Sequence, residues 1–280
     1  MKFIHLFSAV VGLIVSSSAM GQSAKIELKW QEGKTYHTKQ TVKMGMDMAS
    51  AVTDTSMEIT SAGKAAAHKK GTGVSSSVSR VKMHIIGGGQ EMTYDSSKKE
   101  GNDARLAVEM DKLLKMQFTA VYDKAGKFLE VEGIPKEQQN LPGMSKKELE
   151  SNITQQVALL PNREVKVGDT WLSKVTSPLP GMNKELHITY DVNLDEIVVE
   201  NGRKIAKMSF TGKMADTKVT QQGIDMMIKA TDLSGTIHFD VELGQLRKSA
   251  MNMNLTVTPD GAAGKVIMKM KVGSELLKVE

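Results

Sequence analysis

Apolar and polar residues alternate along most of this chain. A period of two is typical of β-strands that bury one face and expose the other. The segments that alternate most regularly are 42–48, 81–85, 186–194, 237–243, 251–257 and 266–272. Because each has one apolar and one polar face, we predict an antiparallel sheet with one side in solvent.

Turn residues define two hairpins within this pattern. Asn201-Gly202 separates two strand patterns and predicts a two-residue turn. Before Glu196 the apolar residues occupy even-numbered positions, whereas the two-residue turn places Ile197 opposite Ala206. Without an extra residue, this one-residue offset would turn the apolar face of the strand to water. We therefore predict a β-bulge over 195–197 that aligns Leu194 with Met208. A second hairpin is predicted over 118–131.

Two segments have helical spacing instead. Apolar residues recur three and four positions apart over 106–114 and 149–160. The second segment follows a capping box formed by Ser145 and Glu148, and Pro161 ends it. Clusters of Gly, Pro, Ser, Lys and Asn predict loops at 61–73, 96–103 and 134–144.

These elements predict a mainly β (α+β) fold in one domain over 22–280. It is a long, curved antiparallel sheet or half-barrel with two or three helices. Residues 33–41 resemble residues 168–176, since glycine, threonine, an aromatic, lysine and threonine recur at the same offsets. This echo suggests a two-fold internal repeat with halves of about 22–140 and 141–280. Chance similarity between two strand starts is the alternative.

The first 21 residues have the pattern of a secretory signal peptide. Lys2 precedes an apolar run over 6–15 and then a series of small residues. We expect cleavage after Gly21, with Ala19 as the alternative. The leader predicts export to the periplasm or beyond the cell, which excludes most nucleic-acid, ATP and NAD chemistry. No later segment is apolar enough for a transmembrane helix.

Charge and cysteine content narrow the classes further. The formal net charge is +5, but the lysines are spread along the chain and alternate with apolar residues. They indicate solvated strand faces rather than a polyanion site, so no nucleic-acid partner is expected. The densest basic stretch, 64–70, reads as a mobile loop. Without cysteine there is no disulfide, thiol nucleophile or lipid-modified cysteine.

Short motifs carry a resemblance to a known family. They are Gly33-Lys34-Thr35-Tyr36, Tyr94-Asp95-Ser96, 118–126, Leu160-Pro161 and 165–171. On these the chain resembles an uncharacterised family of exported, mostly β bacterial proteins, which implies no assigned activity and no catalytic residues. The overall plan is also similar to periplasmic lipoprotein carriers, whose curved sheet wraps helices around an apolar cavity. Function does not follow from that plan.

Candidate catalytic groups are weakly placed. There is no Gly-x-Ser-x-Gly elbow and no zinc or calcium motif. His84, His187 and His238 fall on polar strand faces, although His238 shares a side with Asp240, which is a possible orienting carboxylate. The acid pairs with spacing suited to glycoside hydrolysis are Asp191 with Asp195 and Asp240 with Glu242. Solvated strand faces explain all of these residues, so we expect no enzyme and no cofactor.

Methionine is the unusual residue of this chain. There are 20 methionines, whereas aromatic residues make up only 4% of the sequence. Seven of them share strand faces in three segments: Met44, Met46, Met48, Met251, Met253, Met268 and Met270. Flexible thioethers suit core packing and adaptable apolar binding surfaces, and they also suit Cu(I).

The sequence therefore predicts an exported, non-enzymatic protein. It would bind or carry a hydrophobic small molecule, a lipid or a lipoprotein on these seven methionines. A periplasmic Cu(I)-binding protein and a structural envelope protein are the alternatives. The pattern does not show whether the three methionine strands are neighbours, and it leaves the oligomeric state open.

Overall fold

The computed structural model describes residues 21–48, 51–136, 145–178, 184–221, 224–260 and 264–280. The predicted leader up to Met20 and most of the predicted loop over 134–144 lie outside these ranges.

Strands dominate the described residues, and two helices interrupt them. The strands of the first part of the chain are β1 (Ser23–Ile26), β2 (Thr35–Met48), β3 (Ala51–His68), β4 (Gly71–Gly87), β5 (Gln90–Asp95), β6 (Gln117–Tyr122) and β7 (Phe128–Glu132). The later strands are β8 (Arg163–Lys166), β9 (Thr170–Pro178), β10 (Glu185–Glu200), β11 (Arg203–Met214), β12 (Thr217–Gln221), β13 (Ile224–Asp240), β14 (Gln245–Pro259) and β15 (Val266–Val279). The helices are α1 (Ala104–Leu114) and α2 (Lys146–Ala158).

Thirteen strands form one antiparallel sheet, which confirms the predicted fold class. Its order is β7-β6-β4-β3-β2-β15-β14-β13-β11-β10-β9, with β5 paired to β4 and β12 paired to β13. Strands β1 and β8 form a separate pair. The strands of residues 35–132 therefore form one half of the large sheet, and those of residues 170–279 form the other half. The two halves meet where β2 pairs with β15.

Helix α2 contacts both edges of this sheet. The Glu150 carboxylate accepts a hydrogen bond from the Val131 amide of β7 at 3.0 Å. The neighbouring Ser151 hydroxyl donates to the Thr176 carbonyl of β9 at 3.3 Å. The sheet must therefore curl until β7 and β9 approach the same helix. The helix also protects strand edges that would otherwise expose unpaired backbone groups.

Both predicted helices are confirmed, together with their caps. The Asp103 side chain accepts hydrogen bonds from the first amides of α1, and Ser145 and Glu148 form the predicted capping box of α2. Leu106 and Met110 of α1 are buried against β4 and β5. This helix thus covers part of the inner side of the curled sheet.

The hairpin between β10 and β11 has the predicted turn and bulge. Asn201 and Gly202 have φ values of 51° and 76°, which such a tight turn requires. The register shifts between Leu194 and Glu196, and Leu194 lies opposite Met208. The bulge keeps both apolar faces toward the core, where Leu194 is fully buried.

The predicted loop over 61–73 is wrong, because β3 and β4 continue through it. They form a hairpin that turns only at Lys69 and Lys70, and Ala65 pairs with Val74. Ala65 is fully buried. The small residues that suggested a mobile loop instead allow close packing of two long strands, and tertiary context overrides their weak strand propensity.

The main core lies inside the curl, near the ends of the sheet where β2 begins and β15 ends. Phe239 and Ile26 are fully buried there, and Leu159 and Leu160, which follow α2, complete the cluster. Aromatic contacts reinforce it, with the Trp30 and Tyr36 ring centroids 4.8 Å apart. The opposite ends of β2, β14 and β15 extend beyond this core.

Candidate functional site

The structure brings the three methionine strands together. Strand β15 lies between β14 and β2, and Met270 is directly opposite both Met253 and Met44. One step toward the hairpin tips, Met268 is opposite Leu255 and Met46. The methionines that the sequence predicted as ligand-binding residues are therefore neighbours across a continuous part of the sheet.

All seven residues also share one side of the sheet. Residues two apart on a strand point to the same side, and residues directly opposite one another share that side. Met251 is opposite Val272, and Met48 is opposite Val266. We call this surface the methionine face: Met44, Met46, Met48, Met251, Met253, Met268 and Met270.

The methionine face continues on three further strands. Met57 of β3 is opposite Val42 and Met83, while Met92 of β5 is opposite Ile85. Sequence reasoning missed Met57 and Met92, because β3 carries threonines on the same side and its alternation is weak. The only signal was the short pattern Met57-x-Ile59.

Burial separates these methionines from those used for core packing. Met208 is 1% exposed and fills the core, whereas Met48 is 39% exposed. The other six residues of the methionine face are half-buried. Met251 and Met253 pack against the edge of the core. The face is thus apolar but incompletely covered.

Charge is confined to the opposite side of the same strands. Lys43, Lys269 and Lys271 are exposed and alternate with the methionines, as the parity of the sequence predicted. Lys43 lies directly opposite Lys271. On the described parts of β2 and β15, and on β14 from Ser249 onward, no charged residue shares the side of the methionine face, while Arg247 lies at the bulge where the β14 register shifts. An ionised group there would have no partner on these strands.

Helix α1 lies beside the methionine face, and a side-chain hydrogen bond links it to β5. The Tyr94 hydroxyl donates to the Asp111 carboxylate at 2.8 Å. Burial, together with this bond, raises the pKa of Tyr94 to about 12, so the phenol is neutral at physiological pH. Hydrogen bonds from Arg80 hold the pKa of the Asp95 carboxyl well below its usual range.

The catalytic candidates do not converge. The Asp240 carboxylate accepts from the Arg203 guanidinium at 3.1 Å and from the Leu243 amide at 2.8 Å. The carboxylate is fully buried and holds the turn between β13 and β14. Among the described residues its partners do not include His238, so the possible pairing with that histidine is wrong. Its acid partner Glu242 is exposed, and Asp195 accepts from the Ser209 hydroxyl on an exposed face.

The remaining histidines on strand faces have ordinary surface partners. His84 lies 2.8 Å from a Glu91 carboxylate oxygen, and His187 lies 3.2 Å from the Thr176 hydroxyl. Both histidines are solvent-accessible. Within the described ranges, no three His, Asp or Glu side chains are grouped in a way that suits a metal ion. Thioethers are the soft donors that this site offers.

Comparison with known proteins extends the fold description. No family model and no curated protein matches the chain. Among solved structures, the chain is similar to one described as lipid-protein interactions in lipovitellin, with a TM-score of 0.54 and 9% identity. The match covers 90% of this chain and 26% of the lipovitellin chain, so this chain spans about a quarter of that protein's length. At this identity the likeness shows the fold alone.

Two further matches are much weaker. The translocator domain of the autotransporter NalP from Neisseria meningitidis has a TM-score of 0.32 at 8% identity, covering 89% of this chain and 90% of that one. The β domain of the Bordetella autotransporter BrkA has a TM-score of 0.27 at 10% identity, covering 86% and 98%. Neither of the two described helices is long and apolar enough to span a membrane.

Proposed function

We propose that this protein binds an apolar molecule with an acyl-type chain, free or attached to a lipoprotein, on the methionine face. It would carry this cargo outside the cytoplasm and would not act as an enzyme. The observation that carries the proposal is the position of seven methionines on one uncharged, half-buried side of three neighbouring strands.

The chemistry of methionine suits this role. Its unbranched side chain can adapt to a ligand of irregular shape. Each methylene group that leaves water contributes roughly 0.8 kcal/mol, before the free energy lost in ordering the partners. The curl places this face on the inner side of the sheet, beside α1 and the core.

Two likenesses support the proposal. The solved structure most similar in fold, by TM-score, among those reported above is described in terms of lipid-protein interactions in lipovitellin. The sequence also resembles the plan of periplasmic lipoprotein carriers. The predicted leader is consistent with transport outside the cytoplasm.

The test compares two neighbouring residues on opposite sides of β15. We expect Met270→Asp to weaken binding of a fluorescent fatty alcohol at least tenfold, because it places an unpaired charge against the bound chain. The matched control is Lys271→Asp on the outer side, which should bind as the wild type does. Fluorescence titration of delipidated protein measures both variants.

A folding control completes this experiment. Met270→Leu preserves the apolar volume and should retain binding, and thermal unfolding checks that all three variants are folded. Equal binding by the two aspartate variants would contradict the proposal. Failure of the wild-type protein to bind any apolar probe would also contradict the proposal, and it would favour a structural role in the envelope.

The register of three methionines favours a second candidate function. Met270 lies directly opposite both Met44 and Met253, which are on the two strands that flank β15. Directly opposed residues have Cβ atoms about 5 Å apart, a separation that flexible thioether side chains can bridge. Three converging sulfurs form a donor set that suits Cu(I).

Copper binding and apolar binding respond differently to leucine. Replacing Met44, Met253 and Met270 together by leucine removes the sulfurs but keeps an apolar surface. If the site holds Cu(I), competition with a chromophoric chelator under anaerobic, reducing conditions should show one ion bound by the wild type and none by the triple variant. Equal copper retention by both proteins would exclude this role, whereas fatty alcohol binding should persist in both.

A further inference from the structure

A row of polar residues crosses the inner side of the sheet next to the methionine face, toward the start of β2. Ser274 of β15 lies directly opposite both Ser249 of β14 and Gln40 of β2. Each lies two residues from an apolar residue on its own strand: Ser274 from Val272, Ser249 from Met251 and Gln40 from Val42. Because that spacing preserves the side, the polar row and the methionine face share one surface. We call Gln40, Ser249 and Ser274 the polar floor.

The polar floor has unused hydrogen-bonding capacity. In the row below, the Thr38 and Ser61 hydroxyls pair with each other at 2.9 Å. By contrast, no hydrogen bond to the side chain of Gln40, Ser249 or Ser274 is present within the described residues. All three residues are half-buried rather than fully covered. An amide and two hydroxyls are thus accessible as donors and acceptors.

The surroundings define which ligand group these residues suit. Above the floor the rows contain only valine, methionine and leucine on β2, β14 and β15. The lysines of these strands point to the other side. Burying an ion beside the floor without a counter-charge is unfavourable, whereas a neutral polar group would find partners.

The dimensions match an extended chain. Met46 lies six positions after Gln40 on β2, which corresponds to about 20 Å along the strand. A chain that starts at the floor and follows the strands would therefore contact successive methionine rows and end near the hairpin tips.

We propose that the ligand is an amphiphile with an uncharged, hydrogen-bonding head group, such as an alcohol, ester or amide. Its head rests on the polar floor, and its chain extends along the methionine face toward the tips of the β2–β3 and β14–β15 hairpins. This inference rests on the proposed function and adds the class and direction of the ligand.

Probes with the same chain and different heads test the inference: hexadecane, hexadecanol, palmitate and hexadecylammonium. They compete with a fluorescent fatty probe at neutral pH, on the full mature chain. The double variant Gln40→Leu, Ser274→Ala should lose hexadecanol affinity by roughly five- to tenfold, the effect of about one hydrogen bond. Its hexadecane affinity should not fall. The matched control Thr41→Val, on the outer side of β2, should resemble the wild type.

A charge introduced at the floor provides an independent readout. Gln40→Lys should increase the affinity for palmitate relative to hexadecanol, because the ammonium would supply the missing counter-charge. Wild-type protein should prefer hexadecanol to either ionised probe. An unchanged ratio in Gln40→Lys would contradict a head group at the floor.

The outcomes separate this inference from the proposed function. If hexadecane competes but the double variant binds hexadecanol as the wild type does, the assigned head group and direction are overturned and apolar binding stands. If none of the four probes competes with wild-type protein, both proposals are overturned. A loss confined to hexadecanol in the double variant supports both.

Discussion

Asp95 shows how a single side chain positions a neighbouring element. It ends β5, where its carboxylate accepts from the Arg80 guanidinium at 3.0 Å and from the Ser97 amide at 3.0 Å. Its own amide donates to the Asn102 side chain at 2.8 Å, immediately before the cap of α1. The sequence indicated a loop at 96–103 but not this network, because hydrogen-bond partners across a loop have no periodic signal.

This network predicts a pH-dependent stability at the residue scale. The folded pKa of Asp95 lies below its ordinary value of 3.8, so the ion pair contributes stability above that value. The contribution is lost as the pH falls toward the lower, folded pKa. We therefore expect Arg80→Met to lower the urea midpoint at neutral pH, and the difference from wild type to narrow below pH 3.8. A difference that stays constant across this range would contradict the assigned role.

At the scale of elements, strand parity was the reliable part of the sequence. It located the bulge beside Asp195 and the separation of lysines from methionines, because a register slip would expose an apolar face. Composition was less reliable: the Ala- and Gly-rich residues 61–73 suggested a loop, yet they form two paired strands. Parity also could not indicate which strands are neighbours. The pairing of β2 with β15 joins opposite ends of the chain and depends on the whole topology.

The helices illustrate the same limit. Apolar spacing and capping residues located α1 and α2 correctly, since both signals are local. The position of α2 against both β7 and β9 rests on Glu150 and Ser151, which bond to backbone groups of the two edge strands. Such polar residues on a helix surface look like ordinary solvated positions in a sequence. Only the curl of the sheet gives them a role.

At the scale of the whole molecule, the methionine face lies where the two halves of the sheet join. β2 is the first strand of one half, and β14 and β15 are the last strands of the other half. Gly33 and Gly168, which precede β2 and β9, have similar φ values of 83° and 89°. The two-fold repeat that the sequence suggests stays a prediction. The site thus forms only when the distant ends of the chain have paired.

The central claim is that an apolar chain lies against the methionine face. The most direct test is an NMR measurement of contacts between bound hexadecanol and the methyl groups of methionine, in protein labelled with ¹³C at those methyls. The account predicts intermolecular NOEs from the chain protons to Met44, Met46, Met268 and Met270. It predicts none to Met208, which is buried in the core. Binding without NOEs to these four methyl groups would contradict the account.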